Sequence, residues 1–157
     1  MRPAELNAGY SAYPLDDPHM SRFMDNLDTI NALAERSHGF VWRMKSDNGN
    51  ATGISVPGDA EIISKMSNWE NVASLGNYVF NTAHARFYER KKVWFQAMTS
   101  HHFVMWTVGD NHTPDLAEAM DSLAHLQKHG STDQAFGWDF VDQSAWRRCT
   151  VAAEQIT

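Results

Sequence analysis

DPHMSRFMDNLDTINALAERSHGFVWRMK, residues 17–45, changes its apolar period partway along, and that change sets the fold. Met20, Phe23, Met24, Leu27, Ile30 and Ala34 recur at intervals of three and four, which lays one apolar stripe along a helix. Asp17 offers a side-chain acceptor to the first free amides, and Pro18 takes the first helical position, where its missing N–H costs nothing. His38-Gly39 ends the helix, and FVWRMK (40–45) follows at once as a short β-prone run. Upstream, residues 4–11 alternate loosely, with Leu6, Ala8 and Tyr10 facing one way and Asn7, Gly9 and Ser11 the other, which predicts a first strand. Downstream, DNGNATG (47–53) holds the turn dipeptide Asn48-Gly49. With VPGD it links FVWRMK to EIISKMSNW (61–69), the next strand.

A second helical region opens near Asn71, with Val72, Leu75, Gly76, Val79 and Ala83 on one side and Phe87 and Trp94 continuing near it. Such a length is long for one straight helix, so a bend or break is predicted between residues 80 and 92. HHFVMWTV (101–108) reads as a fourth strand. Thr113-Pro114-Asp115 opens a third helix that turns Leu116, Ala119, Met120 and Leu123 inward and ends at Gly130, and AFGWDFV (135–141) reads as a fifth strand. The order β-α-β-β-α-β, with an extra helix and strand, predicts an α+β fold, a ferredoxin-like two-layer sandwich. One domain over residues 1–145 is expected, followed by a polar, mobile tail at 146–157. Val41 with Trp42, and Val104 with Met105, cannot all point into one helix layer. With no third helix layer foreseen, a homodimer joined sheet to sheet is the expected cover, forming a dimeric α/β barrel.

The 157 residues suffice for a single core, and an apolar share of 43% argues against general disorder. A net charge of −6, from 13 basic and 19 acidic residues, gives no backing to a nucleic-acid partner. Cys149 is alone, so no internal disulfide can form. MRPAELNAGYSAYP lacks the apolar core of a signal peptide, and no apolar run reaches the roughly 20 residues that span a bilayer. The expectation is a cytoplasmic protein without membrane partners.

Several blocks carry a resemblance: PLDDPHM (14–20), NLDTINALAERSHGFVWRMK (26–45), NGNATG (48–53), NWENVASLGNYVF (68–80), His84 with YERKKVWF (88–95), VMWTV (104–108) and EAMDSLAHLQKHG (118–130). Together they resemble the bacterial DUF3291 family across nearly the whole chain. That family is similar in turn to the dimeric α/β-barrel superfamily, which includes antibiotic-biosynthesis and haem-degrading monooxygenases. The resemblance implies a homodimer with a pocket between sheet and helices in each subunit. It also implies a histidine on the second helix, here His84, serving as an axial ligand in haem-binding relatives beside an asparagine of the first strand and a tryptophan, to which Asn7 and Trp69 are similar.

From the residues themselves, His84 lies about 120° from the centre of its apolar stripe at 100° per residue, between Phe80 and Phe87, where it can reach such a pocket. A buried neutral imidazole there can act as a base, taking a proton from a phenol or enol, with Asn7 or Arg43 steadying the anion. Tyr10, Trp42, Trp69, Asn77, Phe80, Tyr88 and Trp106 are candidate contacts for a flat substrate, although aromatic residues more often serve a core or a subunit contact. His101 and His102 must point to opposite sides of a strand, and strand-edge roles suffice for them. Asp121, His125 and His129 share metal-ligand spacing but fall opposite Leu116, Met120 and Leu123, so a solvated helix face explains them. The function expected is an enzyme acting on a hydrophobic, aromatic small molecule by monooxygenase-like oxidation or rearrangement, with no cofactor. The alternatives are a haem enzyme with His84 as axial ligand and a non-catalytic ligand-binding or structural dimer.

Overall fold

The alternation near the amino terminus becomes the central strand of the molecule. The computed structural model describes residues 1–10, 13, 17–45, 62–85 and 103–141. β1 (Arg2–Tyr10) pairs antiparallel with β3 (Ile62–Trp69) on one side and with β4 (Phe103–Val108) on the other, while β2 (Phe40–Arg43) lies outside β3. The sheet order is therefore β2-β3-β1-β4. Leu6 stands opposite Met66 and Val104, and Asn7 stands opposite Lys65 and Phe103. Residues opposite one another in antiparallel strands share a face, and successive residues alternate. One face thus carries Ala4, Leu6, Met66, Val104 and Trp106. The other carries Glu5, Asn7, Lys65, Ser67, Phe103 and Met105.

α1 (Ser21–Arg36) and α2 (Val72–Asn81) both cover this second face, as a split β-α-β arrangement requires. Ile30 and Ala34 of α1 and Leu75, Tyr78 and Val79 of α2 pack there with Trp69 and Met105. The α+β, ferredoxin-like order predicted from the sequence is the one observed. Asp17 caps as expected, its Oδ1 accepting from the His19 amide at 2.8 Å, but Pro18–Met20 forms a 3-10 turn and the α-helix begins at Ser21. At the far end Gly39 adopts φ +83°, and a Cβ there would collide with the side chain of Ser74. Glycine alone meets both demands, a left-handed backbone and a close approach to α2.

α2 is capped by Asn71, whose Oδ1 accepts from the Ser74 amide at 2.8 Å. The chain leaves the helix at Thr82 (φ −118°, ψ −174°) and is helical again at His84 and Ala85, so the predicted break lies within its 80–92 window. Ala83 is consequently exposed rather than inward.

Two expectations need correction. AFGWDFV does not form a fifth strand. Phe136 makes a single antiparallel bridge to Met105, with amide-to-carbonyl bonds of 2.8 and 2.9 Å, and Trp138–Phe140 then turns as a 3-10 helix. The Ser131 hydroxyl explains the turn, since it accepts from the Gly137 amide and donates to Asp139, drawing the chain off the sheet edge. The second correction concerns the sheet's other face. α3 (Leu116–His129) lies across it, packing Ala119, Leu123 and Leu126 onto Ala4, Leu6, Met66, Val104, Trp106 and Val108. Leu6 and Val104 are wholly buried as a result. This helix is amphipathic, as its sequence predicts, and it forms the third layer that the sequence alone does not reveal on this face. An Asp115–Glu118 capping box anchors its start, and Glu118 also accepts from the Trp106 indole at 3.1 Å.

The Asn48-Gly49 turn, Tyr88, His101, His102, Cys149 and the tail at 146–157 lie outside the described residues. Among the described residues, no helix is long and apolar enough to cross a membrane.

Candidate functional site

The two faces of the sheet differ in how completely they are closed. Under α3, Leu6 and Ser64 are 0% exposed and Met66 is 3% exposed. On the α1/α2 side, Asn7, Lys65 and Ser67 keep accessible surface, although β1 and β3 are the interior strands. The helix layer therefore covers the middle of the sheet less completely than α3 covers the back. Phe80, Phe103 and Trp138 form an aromatic wall on this side: Trp138 stacks on Phe103 at 5.4 Å and meets Phe80 edge-on at 5.1 Å. All three are partly accessible.

A polar network lies at the base. The Trp69 indole N–H donates to Ser67 Oγ at 2.8 Å, and the Ser67 hydroxyl donates to Glu5 Oε1 at 2.6 Å. Glu5 is only 8% exposed, and burial raises its carboxyl to about 7, against the opposing pull of the Ser67 hydrogen bond and the charge of Lys65. Lys65, opposite Asn7, is lowered to about 8 by desolvation, with Glu5 pulling the other way and Arg43 reinforcing the effect. Among the described residues, no carboxylate lies within ion-pair distance of Lys65. Neither its ammonium nor the Asn7 side chain has a hydrogen-bond partner among the described residues. Two donors thus stand side by side on this face without an acceptor among the described residues.

α2 and the break after it complete the wall. Tyr78 stacks on Trp69 at 5.2 Å and donates its hydroxyl to the Ile30 carbonyl at 3.2 Å; burial and the Glu5 charge push its phenol well above the ordinary range. The break at Thr82 turns His84 back over Tyr78, with ring centroids 4.7 Å apart. The ring Nδ1 lies 3.2 Å from the Val79 carbonyl. A carbonyl only accepts, so Nδ1 carries the hydrogen and Nε2 the lone pair. Burial, with the Lys65 charge adding to it, lowers His84 to about 4, so the ring is neutral near pH 7. At the rim Arg43 ion-pairs with Glu35 at 3.6 Å, and Glu35 also meets Lys45 at 3.1 Å. The Lys45 hydrogen bond, then the Arg43 charge, hold the Glu35 carboxyl below its usual value.

The structure brings Asn7, Arg43, Trp69, Phe80 and His84 to this one side of the sheet. Trp42 and Trp106 lie on the opposite face, packed with the residues under α3. Asn77 accepts from Asn81 one turn on and sits on the flank of α2 away from Leu75 and Val79. Tyr10 ends β1, and Tyr88 lies outside the described residues. Glu5, Lys65, Ser67 and Tyr78 were not foreseen. The signal existed in AELNA and ISKMS, where period-two alternation puts Glu5 with Asn7, and Lys65 with Ser67, on one face.

His84 is the residue that haem would require, and its surroundings fit iron poorly. The Lys65 ammonium that disfavours a proton on the ring opposes a metal cation in the same way, and the Tyr78 ring packs against the imidazole. On α3, His125 is hydrogen-bonded to Thr132 at 2.8 Å, and its ring meets that of His129 at 4.6 Å. Among the described residues, no group of three His, Cys, Asp or Glu side chains could hold a metal ion.

Comparison with solved structures finds similarity to the crystal structure of PA3566 from Pseudomonas aeruginosa, at 14% identity and a TM-score of 0.45, covering 66% of this chain and 88% of that one. No curated protein matches the sequence. The profile of the family described as "Domain of unknown function (DUF3291)" matches residues 2–150. With nearly its entire length matched, the chain belongs to the DUF3291 family.

Proposed function

We propose that this protein binds a small, flat, largely apolar molecule in the cleft between the sheet and the α1/α2 layer. The molecule presents a hydrogen-bond-accepting oxygen to the floor. The observation that carries this reading is the pair of Asn7 and Lys65, adjacent donors that lack partners among the described residues at the centre of the sheet. A desolvated ammonium without a partner is costly, and a ligand oxygen between the two donors offsets that cost. The Phe103, Trp138 and Phe80 rings supply a surface of the right shape for a planar body.

Oxidation with His84 as base fits less well. A ring lowered to about 4 is a weak proton acceptor, some six pH units below an ordinary phenol, which corresponds to roughly 8 kcal/mol of unfavourable transfer. Ligand binding, without that step, is the function supported best.

Tryptophan fluorescence during titration with benzyl alcohols and naphthols tests the reading. Saturable quenching is expected, weakened about tenfold by Asn7→Leu and by Phe103→Ala, each of which removes one contact worth about 1 kcal/mol or more. Trp42→Phe, on the face beneath α3, should leave binding unchanged. Equal effects from all three variants, or no saturable change in the native protein, would refute the assignment.

A further inference from the structure

Lys65 occupies an unusual place for a lysine. It lies in the middle of an interior strand, under a helix layer and on the same face as an aromatic wall, and the residue is only partly buried. Its neighbours come from each element on that side of the sheet. Glu5 and Asn7 belong to β1, Arg43 to β2, and Tyr78 to α2; His84 follows the break, and Glu35 of α1 reaches the group through Arg43. Glu5 pairs with Ser67 and Asn7 with Lys65, which makes Glu5 and Lys65 diagonal neighbours on one face, roughly 7 Å apart. They make no direct ion pair, and a reacting atom can sit between them.

We propose that Lys65 is an amine nucleophile that forms an imine with an aldehyde or ketone held in this cleft, with Glu5 as the proton carrier and Asn7 as donor to the carbonyl oxygen. This rests on the cleft reading above and names the oxygen that the floor receives. Low-polarity surroundings make the amine available at neutral pH, the usual route to an active lysine.

The atoms balance without an oxidant or reductant. The neutral amine adds its lone pair to the carbonyl carbon, the π pair moves to oxygen, and that oxygen takes the Glu5 proton. The resulting ammonium returns a proton to Glu5. The carbinolamine hydroxyl then departs as water with the Glu5 proton while nitrogen forms the C=N bond, and the remaining proton stays on the imine as a cation. Loss of that proton gives imine plus water. Ser67 is a positioning residue, since its 2.6 Å hydrogen bond holds one carboxyl oxygen and leaves the other to carry the proton. Amine must be free and carboxyl must be protonated, so the rate should peak between the titrations of Glu5, at about 7, and Lys65, at about 8.

The whole protein is incubated with benzaldehyde and cyanoborohydride, and the trapped benzyl adduct is located by peptide mass spectrometry. Benzyl alcohol, which cannot form an imine, reports occupancy of the cleft separately through fluorescence. Lys65 should be labelled at least tenfold faster than the exposed Lys45 and Lys128, with a maximum between pH 7 and 8 and with suppression by benzyl alcohol. Glu5→Gln should slow labelling of Lys65 about tenfold and remove the fall in rate above pH 7. Labelling of Lys65 no faster than Lys45, in protein that does bind benzyl alcohol, overturns the imine proposal and leaves the cleft standing. Absence of binding by either compound overturns both.

Discussion

Replacing Glu5 with glutamine offers a direct measure of the strain held at the base of the cleft. The carboxyl rises from an ordinary 4.5 to about 7 because burial disfavours its charge. In the unfolded chain it ionises near 4.5, so between pH 4.5 and 7 the folded form binds a proton that the unfolded form has released. Stability contributed by this group is therefore fully present below pH 4.5 and is lost as the pH rises through 7. A displacement of two and a half units is worth about 3 kcal/mol, most of it between pH 5 and 8. Glutamine keeps the acceptor for the Ser67 hydroxyl and cannot ionise. Its added N–H₂ can impose an offset of about 1 kcal/mol, but the offset is the same at every pH. Urea unfolding followed by circular dichroism at pH 5, 6, 7 and 8 should show Glu5→Gln gaining on the native protein by roughly 2–3 kcal/mol across that series. A difference between the two proteins that stays constant with pH would mean that the carboxyl titrates normally, and the account of a desolvated cleft floor would be wrong.

His84 should behave in the opposite sense. Its folded value is depressed to about 4, so its contribution is present above pH 6.5 and lost as the pH falls toward 4. His84→Gln should remove that loss, about 3 kcal/mol at most, and leave the opposite slope from Glu5 uncompensated, so the native stability profile near pH 5–6 should be flatter than that of either variant. Gly39→Ala combines a strained φ with a collision on Ser74, and should lower urea-unfolding stability by about 2 kcal/mol or more; a neutral result would show that the α1–β2 junction is looser than described. Asp115→Ala removes one half of the α3 capping box and should cost about 1 kcal/mol, read from the same melts, with Asp115→Asn recovering most of it.

The order of elements was legible because it rests on local chemistry. The shift from a period near 3.6 to alternation at Gly39, the caps at Asp17, Asn71 and Asp115, and the stop at Gly130 each act within a few residues. The candidate site was legible only in part. Asn7 and Arg43 could be placed because their strands could, and His84 because it follows an amphipathic helix. The route to His84 differs from the one foreseen, since the break at Thr82 cancels any angle carried forward along α2. The nearness of Glu5 to Lys65 depends on the register of β1 on β3, contacts about 60 residues apart in sequence, and nothing in either strand alone specifies it. Trp42 and Trp106 show the same gap from the other side. An aromatic ring suits either face of a sheet, and only the position of α3 reveals which one it occupies.

The helix that lies across the back of the sheet has a wider consequence. A desolvated amine and carboxyl weaken a small protein, and they can persist where oily contacts elsewhere keep the chain folded without their help. The back of this molecule must stay greasy and tightly fitted, because it carries the folding free energy that the polar front draws down.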